Sequence, residues 1–229
     1  NHLDQELTIT TGALEAMIVD YQCIFPALPY TAACYHTKVF STSPKAQMTG
    51  ATYMEINPEN AFEQSRLMLE AAIDNYPNRA KEKVFIPDKP MDAMVGFSVE
   101  AIKKALGGSL KPLLDVILEG KIRGCVGIVG CNNPHIRHDL GHVTLAKELI
   151  KRDVLCVETG CAAIACAKAG LMMPESIEHA GKGIKEVCGS LGIPPVLHMG
   201  SCVDNTRVLN LVADIANLAG VTVDQLPVG

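Results

Sequence analysis

The chain of 229 residues is long enough to bury the core of one large domain or of two ordinary ones. Its net charge of −5 and its 4% of aromatic residues argue against a nucleic-acid partner, which usually requires a basic face and stacking side chains. No stretch approaches the ~20 consecutive apolar residues that span a bilayer, and no signal peptide is visible. We therefore expect a cytoplasmic globular protein with no membrane span.

The first predicted segment extends to about residue 85. Its elements in chain order are a helix at 7–14, strands at 16–23 and 36–42, and a helix at 59–76. The charged stretch that follows contains three prolines and is typical of a linker, so we place a domain boundary within it. Residues 1–85 are therefore predicted to be part of a first Rossmann-like α/β domain.

Beyond the boundary, short apolar strands alternate with amphipathic helices. The predicted strands lie at 92–97, 124–130, 153–160 and 194–199. The predicted helices lie at 99–108, 112–121, 142–152, 161–172, 176–192 and 207–220. This alternation is typical of a parallel sheet with helices on both faces. We therefore predict an α/β fold with Rossmann-like parallel sheets flanked by helices, residues 86–229 being the second such domain.

The cysteine content indicates metal or redox chemistry. There are nine cysteines, an odd number, in a chain that is not a small secreted scaffold. No two of them form a C-x-x-C pair, so we do not expect a disulfide framework.

Four of the cysteines lie at the carboxyl ends of predicted strands, and these are Cys23, Cys131, Cys161 and Cys202. The carboxyl ends of parallel strands share one edge of a sheet, where ligands bind, so we expect the four thiols to converge. Cys161 and Cys202 also open predicted helices, and a helix N-terminus favours the thiolate. Thiolates bind soft metals and iron–sulfur clusters, so the pattern predicts a metal site of this kind.

The remaining cysteines have other surroundings. Four of them lie inside predicted strands or helices, where we expect small buried hydrophobic residues; they are Cys125, Cys156, Cys166 and Cys188. Cys34 lies close to His36, and both a packing role and a metal contact stay open for it.

Three histidines follow Cys131 at spacings that fit one helix face, and these are His135, His138 and His142. A proton relay, a metal contact and a solvated helix start all stay open for them.

Other familiar motifs are incomplete. Ser98 in GFSVE resembles a strand-to-helix elbow, but the second glycine of G-x-S-x-G is missing. Asp204 is expected to cap the helix that follows Cys202. No G-x-G-x-x-G follows a strand, so we expect no bound nucleotide.

Several motifs together resemble one family. They are GIVGCNN, DVLCVETGCAA, AKAGLM, PPVLHMGSCVDNTR and QELTITTGALEAMIVDYQCIFPAL, and they are similar to the catalytic subunits of the nickel–iron–sulfur carbon monoxide dehydrogenases of anaerobes. The likeness covers essentially the whole chain. The related hybrid cluster proteins also place cysteines at comparable strand ends, but the CVDN segment that begins at Cys202 favours the dehydrogenases.

The resemblance implies a NiFe4S4 cluster at which CO and water are converted reversibly to CO2, two protons and two electrons. It also implies that Cys23, Cys131 and Cys161 hold irons of the cubane part, and that Cys202 is the nickel ligand and catalytic residue. The partners implied are a second copy in a homodimer and an electron acceptor such as ferredoxin. Whether the parent also serves acetyl-CoA synthase stays open.

The chain differs from the family in its extent. The family's helical region with further iron–sulfur clusters, together with a histidine and another cysteine ligand, would fall before Asn1, and a substrate-binding lysine would fall after Gly229. The chain therefore resembles the interior of a longer parent, and we expect the isolated chain to have little or no CO oxidation activity. Two alternatives stay open: a hybrid-cluster-type oxidoreductase acting on nitrogen oxides or hydroxylamine, and a cluster-free α/β module that binds a simple metal such as zinc.

Overall fold

The computed structural model describes residues 2–133 and 135–226 of the chain. The chain forms two compact units, Asn1–Pro90 and Met91–Gly229. Among the described residues, each unit contains a parallel three-stranded sheet whose strands follow chain order. The prediction of an α/β fold with parallel sheets flanked by helices is therefore confirmed. The narrower assignment of 1–85 and 86–229 to two Rossmann-like domains stays a prediction.

The first unit is built on a small sheet of strands β1 (Ala16–Val19), β2 (Lys38–Ser41) and β3 (Thr52–Tyr53). Its helices are α1 (His2–Thr10), α2 (Leu28–Ala33) and α3 (Ala61–Asn75). Short 3-10 turns occupy Pro44–Ala46, Tyr76–Asn78 and Lys81–Lys83. The core joins helix and strand residues, and its buried members are Ile9, Val19, Leu28, Ala32 and Val39.

The second unit is built on strands β4 (Gly124–Val129), β5 (Val154–Thr159) and β6 (Val196–Gly200), with β5 in the centre. Its helices are α4 (Val99–Ala105), α5 (Lys111–Leu118), α6 (Leu140–Ile150), α7 (Gly160–Lys168), α8 (Lys182–Leu191) and α9 (Asn205–Ala219). Further 3-10 turns occupy Pro174–His179, Cys202–Asp204 and Val223–Gln225. Strand β5 is buried along almost its whole length, as expected for a central parallel strand covered on both faces.

The strand predicted at 92–97 is wrong. This segment forms only one isolated parallel bridge, between Val95 and His198. The next residue, Gly96, has a φ of +94°, which interrupts the extended backbone that a strand requires. Val95 is also 60% exposed, so no buried face supports further pairing.

The helix predicted at 176–192 is interrupted. A 3-10 turn ends at His179, and α8 begins only at Lys182. The backbone between them is extended at Ala180 and Gly181, and the Asp153 carboxylate accepts a hydrogen bond from the backbone N–H of Ile184 in the first turn of α8 (2.9 Å). The contact with the distant residue Asp153 therefore favours a new helix start at α8, whereas the apolar spacing alone predicts one continuous helix.

The first helix is also displaced from its prediction at 7–14. Helix α1 is His2–Thr10, and Gly12, with a φ of +66°, ends the helical conformation. In the described parts of the chain, no helix combines the length and apolar character needed to cross a membrane.

Candidate functional site

Three of the four predicted thiols follow strand ends that are aligned with one another. The last residues of β4, β5 and β6 face each other in the parallel pairing, and these are Val129, Thr159 and Gly200. One cysteine follows two residues after each strand end, and these are Cys131, Cys161 and Cys202. The sheet therefore places the three cysteines at one level along its carboxyl edge, the edge at which open α/β sheets bind ligands.

A β-bulge in β6 contributes to this alignment. The pairing of β5 with β6 is regular as far as Glu158 and His198, and it then skips Met199. Met199 is the extra residue of the bulge, a device often found beside active sites. Because of this extra residue, Cys202 is level with Cys161, whereas a regular ladder would leave it one position further out.

The backbone at Gly160 leaves room for the thiol of Cys202. Gly160 begins α7 with a φ of +59°, and a Cβ atom added there would lie 2.2 Å from Cys202 Sγ. A real Cβ atom does not approach a sulfur so closely, so only glycine fits both the conformation and the contact. The sulfur of Cys202 consequently lies against the residue that precedes Cys161, which brings these two cysteines together.

The segment that carries Cys202 is held by its own hydrogen bonds. The Asp204 carboxylate accepts hydrogen bonds from the backbone N–H (2.9 Å) and the hydroxyl (3.2 Å) of Ser201. The first of these is one half of a capping box, in which the Ser201 side chain also accepts from the backbone N–H of Asp204. The backbone hydrogen bond from Ser201 is the largest cause that lowers the pKa of Asp204. The Thr159 hydroxyl also donates to Asn205 Oδ1 at 2.5 Å, which joins the end of β5 to the start of α9. Asp204 thus occupies the N-cap position of α9, as expected, but its side chain makes no capping hydrogen bond to that helix and instead closes the turn that carries Cys202.

Cys131 is exposed and begins the loop between β4 and α6. The Nε2 atom of His142 lies 3.2 Å from the carbonyl oxygen of Cys131, a distance at which a protonated Nε2 donates to the carbonyl. The three histidines do not share a helix face, because α6 begins only at Leu140 and includes His142 but neither His135 nor His138. His135 is exposed in a turn, and Nε2 of His138 lies 3.3 Å from the Asp139 carboxylate.

Cys23 lies in the first unit, four residues after β1. It has a φ of +53°, which is unusual for a residue other than glycine. The side-chain amide of Gln5 donates to its carbonyl oxygen at 2.8 Å and helps to hold this conformation. A cavity of about 570 Å³ lies at the same strand end, and its lining includes Tyr21 and Ile24, which flank the cysteine by one or two residues.

Cys34 and His36 have separate contacts within the first unit. The thiol of Cys34 is exposed and lies 3.7 Å from the carbonyl oxygen of Tyr30, one turn earlier in the chain. The ring of His36 lies 3.4 Å from the Glu15 carboxylate, which also binds Arg79 through a hydrogen bond of 2.7 Å. The structure therefore assigns His36 to a polar network that joins distant parts of the first unit.

The described residues form no closed site for a single metal ion. Within 2–133 and 135–226, no three or more His, Cys, Asp or Glu side chains are grouped so that they could hold one ion. A cluster receives each thiolate at a different iron, so its ligands are spread more widely than those around one zinc ion. Three cysteines behind aligned strand ends, with Cys202 Sγ beside Gly160, are compatible with one side of such a group. Among the described residues they do not form a complete cage.

The cysteines inside the fold are packing residues, as predicted. Cys156, Cys166 and Cys188 are completely buried in the core of the second unit, and Cys125 packs against the same core. Burial raises the pKa of all three buried thiols, that of Cys188 to about 12, so they stay protonated at neutral pH.

Glu158 is a functional candidate that the sequence analysis missed. Its side chain is completely buried in β5, and the thiol of Cys166 donates to its Oε1 at 3.4 Å. Among the described residues, its other oxygen has no hydrogen-bond partner. Burial raises the pKa of Glu158 to about 8, with a smaller opposing effect from Cys166. The single acidic letter inside the apolar strand VLCVET is the signal that could have identified it.

Glu158 is expected to make the chain less stable as the pH rises. Its pKa is raised in the folded state, so the folded chain keeps a proton that the unfolded chain loses near pH 4.5. The contribution of Glu158 to the free energy of unfolding is therefore complete below pH 4.5. This contribution is lost between pH 4.5 and about 8, by at most ~1.4 kcal/mol per pH unit. Thermal unfolding of the 229-residue chain at pH 5.5 and 8.5 measures this effect.

The matched variants for this measurement are Glu158→Gln, which carries no titrating group, and Glu175→Gln, which removes an exposed carboxylate from the same unit. Glu158→Gln should remove most of the loss of stability between the two pH values, and Glu175→Gln should not. An equal pH dependence in the Glu158→Gln variant would contradict the assignment.

Comparison with known proteins shows close relatives along the whole chain. It is 56% identical to carbon monoxide dehydrogenase 1 of Methanosarcina mazei, over 99% of this chain and 36% of the relative. It is 46% identical to carbon monoxide dehydrogenase 1 of Carboxydothermus hydrogenoformans, over 99% of this chain and 38% of the relative. The chain thus spans little more than a third of the length of these relatives.

Solved structures show the same similarity. A nickel-free carbon monoxide dehydrogenase from Thermococcus sp. AM4, produced without the CooC maturase, matches with a TM-score of 0.93 and 54% identity, over 100% of this chain and 36% of that one. An acetyl-CoA synthase/carbon monoxide dehydrogenase, described with NiZn–Fe4S4 and NiNi–Fe4S4 clusters in its alpha subunits, matches with a TM-score of 0.89 and 37% identity, over 98% of this chain and 36% of that one.

The family comparison agrees with these matches. Residues 1–229 match the Prismane/CO dehydrogenase family, so the match includes both units and all four strand-end cysteines. The chain therefore belongs to the Prismane/CO dehydrogenase family.

Proposed function

We propose that the chain is the interior part of a nickel-dependent carbon monoxide dehydrogenase. The parent would convert CO and water to CO2, two protons and two electrons. The observation that carries the proposal is that Cys131, Cys161 and Cys202 each follow the end of one of three paired strands, in a chain whose relatives are named for this activity.

The proposed ligand set follows the position of each thiol. Cys131 and Cys161 would hold irons at the carboxyl edge of the second sheet, and Cys23 would hold an iron from its strand end in the first unit. Cys202 would be the nickel ligand. When bound, a NiFe4S4 cluster supplies a Lewis-acidic and redox-active centre for CO and water.

The protein's own contribution in this proposal is the positioning of the thiols. Gly160 leaves space for the sulfur of Cys202, and the hydrogen bonds between Ser201 and Asp204 hold the turn that carries it. The hydrogen bond from Thr159 to Asn205 holds the start of α9 against the end of β5. Such rigid support limits the reorganisation that a metal ligand would otherwise undergo during the reaction.

The proposed partners belong to the parent protein. They are a second copy in a homodimer and an electron acceptor such as ferredoxin, which removes the two electrons. One relative, 38% identical, is named as the beta subunit of carbon monoxide dehydrogenase/acetyl-CoA synthase from Moorella thermoacetica. This relative supports acetyl-CoA synthase as a further partner of the parent.

The proposal predicts different behaviour of the parent and of the isolated chain. The purified parent should contain nickel and iron and should reduce a viologen dye when CO is supplied without oxygen. The isolated 229 residues should show little or no such activity, because they span only 36% of the Methanosarcina mazei relative and because their described part, 2–133 and 135–226, contains no complete ligand cage. Metal analysis and the rate of dye reduction measure both forms.

Each outcome of this comparison is informative. Iron without nickel in the parent would favour a hybrid-cluster-type oxidoreductase, and zinc alone would favour a simple metal module. Robust dye reduction by the isolated chain would contradict the expected inactivity of the fragment.

A further inference from the structure

The loop that begins at Cys131 is closed by a pair of side chains. The Asn132 side-chain amide donates to Asp139 Oδ1 at 2.8 Å, and the backbone N–H of Asp139 donates to Asn132 Oδ1 at 2.9 Å. These two reciprocal hydrogen bonds join the residue after the thiol to the residue before α6. They restrict an exposed loop that would otherwise have many conformations.

Asp139 does not use its carboxylate as an ordinary helix cap. It occupies the N-cap position of α6, but its side chain makes no capping hydrogen bond to that helix. Its backbone has a left-handed φ of +66°, a conformation that is uncommon outside glycine and that Asp and Asn adopt more readily than other residues. The conformation and the carboxylate both serve contacts outside α6, which is the pattern expected where local strain supports a function.

The second contact of Asp139 reaches the helix that carries Cys161. Its Oδ2 atom lies 2.7 Å from Nζ of Lys168, in the last turn of α7, and the Asp139 side chain is only 20% exposed. Burial alone would raise the pKa of Asp139, but hydrogen bonds from Lys168 and Asn132 and the charges of Lys168 and His138 hold it below its ordinary value. The carboxylate therefore stays charged and joins the Cys131 loop to α7.

We propose that Asn132, Asp139 and Lys168 form a clasp that sets the position of the Cys131 thiol relative to Cys161 and so stabilises the cluster held at this edge. The proposal rests on the proposed function and adds three positioning residues to it. None of the three needs to touch the cluster, since each acts through the backbone of the loop or helix that carries a thiol. Residues that orient metal ligands in this way commonly change metal affinity about 10-fold or more when they are replaced.

The test uses the full-length parent, purified without oxygen. Asp139→Asn and Lys168→Met each remove the ion pair by a different route, and Asn is well tolerated at a positive φ. The measured quantities are the rate at which iron passes to a ferrous chelator and the electron paramagnetic resonance spectrum of the reduced protein. We expect each variant to lose iron about 10-fold faster than the unsubstituted parent and to show a shifted spectrum. Lys168→Arg, which keeps the charge, should restore both.

The control is Arg152→Met, which breaks an exposed ion pair with Glu148 at the end of α6 and leaves the clasp intact. Its iron loss, spectrum and melting temperature should equal those of the parent. Equal iron loss and an unchanged spectrum in Asp139→Asn and Lys168→Met would overturn the proposal. If Asp139→Asn does not fold, Lys168→Met decides alone, because it changes a side chain that is 40% exposed. An unsubstituted parent without iron would instead show that the proposed function is wrong, and the clasp with it.

Discussion

Replacing Cys202 by alanine in the full-length parent is expected to abolish nickel-dependent CO oxidation while most of the iron is retained. In the proposed assignment this thiol binds nickel, whereas the irons are held by other cysteines, so the loss should be selective. We expect the nickel content to fall by about 10-fold or more, because the nickel would lose its cysteine thiolate ligand. Metal analysis and CO-dependent dye reduction measure the two effects.

A matched control for this variant is Cys188→Ala. Cys188 is a fully buried cysteine of α8 that packs in the core of the second unit. Its replacement removes a sulfur of the same size and should cost some thermal stability, but it should leave nickel and activity in place. Retained activity in Cys202→Ala, or an equal loss of nickel in Cys188→Ala, would contradict the assignment of Cys202.

The second large effect is expected from Gly160→Ala. The added methyl group would lie 2.2 Å from Cys202 Sγ, so the sulfur has to move by about 1 Å. A displacement of this size in a catalytic group can lower the rate on the order of 100-fold. The expected result is a strong loss of nickel and of dye reduction by the parent, although all four cysteines are still present.

Gly170→Ala is the control that separates the effect of the steric clash with Cys202 from the effect of backbone strain. Gly170 also has a positive φ, of +74°, but a Cβ atom added there meets nothing within 4 Å. Both variants pay the cost of a left-handed alanine, roughly 1 kcal/mol, and only Gly160→Ala displaces the thiol. If the two variants keep the same amount of nickel, the contact between Gly160 and Cys202 has no role in metal binding.

The sequence predicts the local parts of this site well. The apolar strands that precede Cys131, Cys161 and Cys202 are short and end near glycine, so the strand ends and the carboxyl edge follow from the pattern of letters. The two later helices begin at or near their cysteines for the same reason. Residues with neighbours close in the chain, such as Asp204 in its capping box, are equally predictable.

The remaining features depend on contacts between distant residues, which leave no periodic signal. The bulge at Met199 is visible only when β6 pairs with β5, and the need for glycine at position 160 only when Cys202 is in place. The ion pair between Asp139 and Lys168 joins two elements that no spacing relates. The predicted strand at 92–97 fails for a related reason, since Gly96 takes a conformation that its apolar neighbours do not indicate.

The shared level of the three strand ends has a consequence for how such a protein can change during evolution. The position of the thiols along the strand direction is set by hydrogen bonds between the strands. It does not depend on the length of the chain that connects one strand to the next. Helices and loops at the opposite edge can therefore gain or lose residues in other family members without disturbing the thiols. A single residue inserted between a strand end and its cysteine would instead move that thiol by ~3.3 Å. Selection against insertions should accordingly be concentrated in three one-residue connections of this chain, at Gly130, Gly160 and Ser201.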